Sequence, residues 1–290
     1  MEPANRIITC KNSDGDEITI TERGFSPFIL VSAEGIYDSN YNVQQAEYII
    51  IDGSEYQGSS MGIRNIVLIL REVDDFDENR ELIDQVFVKG DLGILTVQDG
   101  THLRCIEYYV ESVTTTGTYG HRDTTISLLC PDPYFYDPEY STVKLSNLVS
   151  SFEFEHEFTE DTEEFGYFSG EGLGTIVNVS SEKNMGFTLV LKAVGNVTTP
   201  KITKVETQEF IRVGTDTKPL QMQYGDVLTI NTVIGKKNVY LNGNPVNHYL
   251  DPDSTFFQLG RGINTIGFAA DEGTDYITVA ISYRYKYMRA

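Results

Sequence analysis

"CPDPYFYDP", residues 130–138, follows directly on the strand-like "RDTTISLL" and holds three of the chain's nine prolines around Tyr134, Phe135 and Tyr136. Proline fixes φ and donates no amide hydrogen, so this stretch can neither continue a central strand nor extend a helix. It ends one structural unit, and the sequence on its two sides differs in kind.

On the amino-terminal side, strand patterns surround a single helical one. "RIITCK" and "EITITE" flank the polar "NSDGD", where Asp14 and Gly15 supply hairpin turn chemistry. "NIVLILREV" follows, and "LGILTVQDGTHLRCIEYYVESV" is split by Asp99 and Gly100 into a second hairpin. Between these lies "DFDENRELIDQVFVKG". Leu82, Ile83, Val86 and Phe87 form one apolar stripe at helical spacing, Asp77 is placed to cap the amino end, and Gly90 to stop it. One helix among strands predicts an α+β unit whose helix covers a sheet face.

Beyond the prolines no helix is predicted. "TIVNVS", "GFTLVLKAVG", "PKITKVET", "EFIRVG", "DVLTINT", "KNVYLNG", "FFQLG", "NTIGFAA" and "DYITVAISYRYKY" give short strands between turns, the pattern of an all-β sandwich or jelly roll. Alternation in the last of these puts Ile277, Val279, Ile281, Tyr283 and Tyr285 on one face and Thr278, Ser282, Arg284 and Lys286 on the other. The proline stretch then reads as a stiff connector between two domains.

Length and composition agree. A chain of 290 residues exceeds what one core usually serves, and 40% apolar residues suffice for packed cores. A net charge of -21 argues against nucleic acid and anionic bilayers as partners. No window has the apolar length of a membrane span, and "MEPANRIITC" lacks the pattern of a secretory signal, which predicts synthesis and folding in a cytoplasm. Cys10, Cys105 and Cys130 fit neither a disulfide framework nor a zinc ribbon and read as small buried residues. The sequons at Asn178 and Asn196 then count as chance matches.

Convergent chemistry is missing. "SGEGLG" carries Gly170, Gly172 and Gly174 but leads into a strand pattern, where a phosphate loop opens a helix. Ser169 lacks the glycine two residues before it that a nucleophile elbow needs. His102, His121, His156 and His248 show no metal-pair spacing. The acidic run from Glu153 to Glu164 and the cluster Asp14 to Glu17 offer carboxylates without the spacing of a calcium-binding hand, and read as solvated acidic faces. No catalytic, cofactor-binding or metal-ligating residue is assigned, and no cofactor is expected.

The order helix, hairpin, strand, ending in "ISLLCPDPYFYD", resembles the distal tail protein family of bacteriophage tails, the siphovirus-type tail components. "YGDVLTINTVIGKKNVYLNG" and "YLDPDSTFFQLGRGINTI" are similar to that family's carboxyl-terminal domain; "TIVNVSSEKNMGFTLVL" departs from it, with Ser180 and Ser181 where the family often has a glycine-rich turn. The resemblance implies a mainly β chain in two domains. The first, an α+β sandwich or hairpin domain with one helix over residues 1–130, would form a ring. A connector would span 131–145, and a galectin-like or carbohydrate-binding-module-like sandwich over 146–290 would project outward. It further implies a non-enzymatic homo-hexamer in the virion's tail tip or baseplate, made in the bacterial host's cytoplasm. Its partners would be the tail tube protein and the tip, tail-associated or receptor-binding proteins. The rival reading is a carbohydrate-binding adhesin for host glycans, because Tyr283, Tyr285 and Tyr287 share one face of the last predicted strand. Burial alone also produces such a stripe. An enzyme such as a tail-associated hydrolase has no motif behind it.

Overall fold

The computed structural model describes residues 6–22, 27–48, 52–72, 76–118, 121–146, 148–150, 166–168, 172–182 and 184–290. The acidic run Glu153 to Glu164, with His156, and the loop residues Ser169 and Gly170 lie outside the described residues. The chain divides into two units, Met1–Pro138 with Lys286–Ala290, and Glu139–Tyr285.

The first unit contains strands β1 (Ile7–Lys11), β2 (Glu17–Thr21), β3 (Phe28–Glu34), β4 (Tyr41–Glu47), β5 (Ser54–Met61) and β6 (Arg64–Glu72). Helix α1 (Phe76–Val86) follows, then β7 (Leu92–Asp99), β8 (His102–Thr118), β9 (His121–Cys130) and β10 (Phe135–Tyr136). The strand order β8-β7-β1-β2-β3-β6-β9 closes on itself, because β8 also pairs with β9. Closure removes the free edges that an open sheet would leave. The β1–β2 turn forms as the sequence predicts: Asn12 Oδ1 accepts from the amides of Gly15 and Asp16 at 2.8 and 2.9 Å, and Gly15 takes φ +101°. Ile83, Val86 and Phe87 of the helical stripe are buried in the core with Ile8, Ile18, Leu68, Leu95 and Ile106. Helix α1 begins at Phe76, so Asp77 lies inside its first turn, where its charge complements the helix dipole.

The second unit opens with β11 (Ser141–Ser146), β12 (Leu148–Ser150), β13 (Gly166–Phe168), β14 (Gly172–Asn178), β15 (Asn184–Met185) and β16 (Phe187–Ala193). It continues through β17 (Val197–Lys204), β18 (Phe210–Arg212), β19 (Gln221–Met222), β20 (Val227–Asn231), β21 (Asn238–Leu241) and β22 (Asn244–Pro245). It ends with β23 (Leu259–Gly260), β24 (Gly262–Glu272) and β25 (Ile277–Tyr283). Two main sheets result, β11-β25-β16-β20-β21-β22 and β14-β24-β17-β18. Their inward residues, among them Ile176, Leu189, Leu191, Ile202, Ile230, Ile266, Phe268, Val279 and Ile281, share one core. Asn242 and Gly243 turn β21 into β22 with φ of 51° and 80°, the left-handed pair that this tight turn requires.

The boundaries fall elsewhere than the pattern suggests. "CPDPYFYDP" belongs to the first unit: β10 pairs with β8 at Cys105, and the Phe135 ring is fully buried in that core. From Glu139 the chain is in the second unit, which leaves no separate connector over 131–145. The last alternating stretch is also divided. β25 stops at Tyr283, and Lys286–Tyr287 forms a short strand, β26, paired with β10 in the first unit. Tyr283, Tyr285 and Tyr287 therefore do not share one face: Tyr283 is buried and Tyr285 half-buried against the second core, while Tyr287 packs against the first.

Candidate interaction surfaces

The side chains of the described residues offer neither metal nor thiol chemistry. No group of three or more His, Cys, Asp or Glu able to hold a metal ion occurs among them. The three cysteines form no disulfide and are buried, and burial raises the Cys130 thiol to about 12 and the Cys10 thiol well above its usual range. Thiols so placed are not nucleophiles near neutral pH. The Asn178 side chain, a sequon position, is buried: it donates to the Leu259 carbonyl at 3.0 Å and accepts from the Ser180 amide at 2.9 Å. Ser180 thus closes an Asx turn at the point where the sequence departs from the family pattern. No described helix is long and apolar enough to cross a membrane.

One charged cluster is structural. Arg212 on β18 reaches Asp216 at 2.7 Å, Asp271 at 2.8 Å and Asp251 at 3.3 Å, pinning the loops around it. Hydrogen bonds to Asp216 and Asp271 raise its pKa further, so it is permanently charged.

What the fold leaves open is surface. β4 and β5 form a two-stranded ladder of their own, and Tyr41, Val43, Tyr56 and the following Ile63 are exposed. A hairpin of this kind is marginal alone in water, so it is suited to being covered. Local bonds stiffen it: the Tyr48 hydroxyl donates to Glu55 at 2.5 Å and Ser54 to Gln45 at 2.9 Å. On the outer face of the closed sheet, Leu92 and Ile94 of β7 and Tyr109 of β8 are also exposed, with Tyr109 opposite Leu92. In the second unit, Leu173, Val177 and Val179 stand out, together with Ile263 opposite Val177. Ile263 faces outward, whereas Ile266 lies in the core.

Residues 180–287 match the family model described as the siphovirus-type tail component, C-terminal domain. The chain as a whole is similar in fold to the SPP1 Dit protein, described as a paradigm of the hub adsorption apparatus in phages infecting Gram-positive bacteria. That likeness has a TM-score of 0.66 and 14% identity over 96% of this chain and 99% of that one. A chain of the phage P2 baseplate in its activated conformation with Ca matches at a TM-score of 0.53 and 11% identity, covering 98% of this chain and 99% of that one. No curated protein matches. The fold is thus that of the Dit structure: among the described residues it is mostly β with one α-helix, a barrel-like first unit and a sheet-built second unit.

None of the exposed surfaces was legible in the sequence. The β4–β5 hairpin follows no strong alternation, and whether Leu173 or Ile176 faces out depends on which side of β14 meets the core. A usable signal lies in the polar composition of residues 41–47 and 54–61, strand-length segments that lack a buried alternate face.

Proposed function

We propose that this chain is a structural, non-enzymatic component of a phage tail tip or baseplate, a distal tail protein. Six copies of its first unit form a ring that joins the tail tube to tip, tail-associated or receptor-binding proteins. The protein is made in the cytoplasm of a bacterial host and resides in the virion. The observation that carries this reading is the likeness of the fold to Dit over 96% of this chain and 99% of that one. The closed sheet of the first unit and its uncovered β4–β5 hairpin suit a subunit that completes its burial against copies of itself. The second unit projects toward partners.

Mass measurement of the purified full chain, paired with negative-stain images, tests this. Six-fold rings are the expected result. A protein that stays monomeric at high concentration, and also fails to form rings on added tail tube protein, overturns the ring.

The glycan-adhesin reading loses its carrier at the last strand, because Tyr283 is buried and Tyr287 packs in the other unit. A host-glycan role for the second unit would need a different surface.

A further inference from the structure

We propose that β14 is an open pairing edge at which a second copy of this chain adds antiparallel, with Thr175 opposite Thr175 across a two-fold axis. Among the described residues β14 is an outermost strand and pairs only with β24. The other outer strands of the two main sheets carry the features that discourage strand addition. β11 bears the exposed Lys144, β22 is two residues long and contains Pro245, and β18 is three residues long and holds Arg212 in its ion pairs. β14 has seven residues, "GLGTIVN", with no charge and no proline.

The direction of its free groups follows from the ladder. Thr265, opposite Thr175, donates its amide to Glu206 at 2.5 Å and accepts from the Val205 amide at 2.9 Å, so this pair does not bond between β14 and β24, and the Val177 carbonyl, two residues on, accepts from the Tyr285 hydroxyl at 3.2 Å. In an antiparallel strand the groups of alternate residues turn the same way, so Leu173, Thr175 and Val177 present their N–H and C=O at the open edge. Their side chains lie on the outer face, where Leu173 is 60%, Val177 49% and the facing Ile263 68% exposed.

The edge is complementary to itself. Centring the pairing on Thr175 sets Leu173 of each copy against Val177 of the other, apolar on apolar, and each of the three pairs exchanges two backbone hydrogen bonds. Charge points to the same occupant. Two chains at -21 repel wherever carboxylates meet, but Leu173, Thr175, Val177, Ile263, Thr265 and Gly267 form an uncharged face. The incoming strand displaces the Tyr285 hydroxyl from Val177. One strand pair buries less than a standard interface, so the association is weak, strengthens with salt, and gains avidity where copies are already held in a ring. This pairing does not rest on the tail reading.

The test uses the full chain carrying Thr175→Cys with a short bismaleimide; Cys10, Cys105 and Cys130 are buried. The expected result is a crosslink between residue 175 of two copies, rising with protein and salt concentration and lost when Val177→Lys is added, with the melting temperature unchanged. Sedimentation should show that Val177→Lys abolishes mass doubling and leaves any six-fold assembly intact. Absence of the 175–175 crosslink, or doubling that survives Val177→Lys, overturns the proposal. Loss of six-fold assembly in the unmodified protein instead counts against the ring and leaves this pairing standing.

Discussion

The Arg64 guanidinium donates through Nη2 to the backbone carbonyl of Met288 at 2.6 Å, across 224 residues of sequence. Its other donors go to the carbonyls of Pro133 at 2.7 Å, Asp38 at 2.7 Å and Gly35, and it lies over the Phe135 ring at 5.1 Å. Arg64 is buried, and the four carbonyls, with the Phe135 ring and the nearby Asp38 charge, take the place of its water. Burial accordingly lowers its pKa. One side chain thus binds the Gly35–Asp38 loop, the proline stretch and Met288, just past β26, within the first unit. Removing it orphans four carbonyls. Arg64→Met should therefore lower the first unit's stability by about 2–4 kcal/mol, with the second unit's transition unmoved. Calorimetry on the full chain separates the two, and a wild-type trace would refute the assignment.

Arg64→Lys should be nearly as damaging. An ammonium is a point donor, whereas the four carbonyls are arranged for a planar fork with five N–H groups. Full rescue by lysine would mean that charge, not the fork, holds the segments.

The fragment boundary gives an independent check. Phe135 is fully buried in the first core, so a fragment ending at residue 130 loses a core aromatic that one ending at 138 keeps. The shorter fragment should be less stable by about 3 kcal/mol, measured by urea unfolding. Equal midpoints would show that β10 is not part of that core.

Local pattern explains what could be read from the sequence, and long-range pairing explains what could not. The hairpin at Asp14 and Gly15, the stripe Ile83-Val86-Phe87 and the burial of Tyr283 each depend on residues within a turn or two, where periodicity and turn chemistry act directly. The transfer of Lys286 and Tyr287 to the other unit leaves no trace in alternation, because Tyr283, Tyr285 and Tyr287 keep period two across the break. What moves them is tertiary: Lys286 meets Asp132 at 2.8 Å, and the Arg104 guanidinium lies 3.7 Å from the Tyr287 ring centroid. The proline stretch does end a run of strands, as proline chemistry demands, yet its aromatics dock so fully that it becomes part of the core it terminates.

Salt tests the assembly. With each copy at -21, a closed ring brings like charges together, and the repulsion is screened within about 10 Å at 0.1 M salt. Ring stability should rise with ionic strength. Dissociation by added salt would show that attractive ion pairs dominate the interfaces.

The second unit should have its own acid limb. Asp226 accepts from the Gln223 amide at 2.7 Å and from Asn242 at 2.8 Å, and these bonds, the backbone one foremost, hold its carboxyl below the usual range. A depressed carboxylate stabilises the fold above its unfolded value and ceases to do so as pH falls through its folded value. Melting temperature should therefore drop below about pH 4. Asp226→Asn should weaken that dependence; an unaltered acid limb would place its origin elsewhere.

Tyr283 decides between scaffold and sugar platform at the end of β25. Its neighbours Ile277, Val279 and Ile281 point into the second core, and alternation carries Tyr283 with them, 6% exposed. Its ring meets that of Tyr285 edge-on, with centroids 5.4 Å apart and planes at 74°. Burial, reinforced by the hydrogen bond with Tyr285, raises the Tyr283 phenol to about 12, so it stays neutral through the physiological range. Truncation leaves a cavity the size of a phenol ring, and Tyr283→Ala should destabilise the second unit by about 3–5 kcal/mol. Tyr283→Phe keeps the ring and should cost far less, which separates packing from the hydroxyl. If Tyr283→Ala melts like the wild type and also loses retention on host cell walls or a glycan array, the ring is a binding platform and the core assignment fails. If stability falls as expected, β25 is a scaffold strand, and any glycan contact of the second unit must be sought on its outer faces.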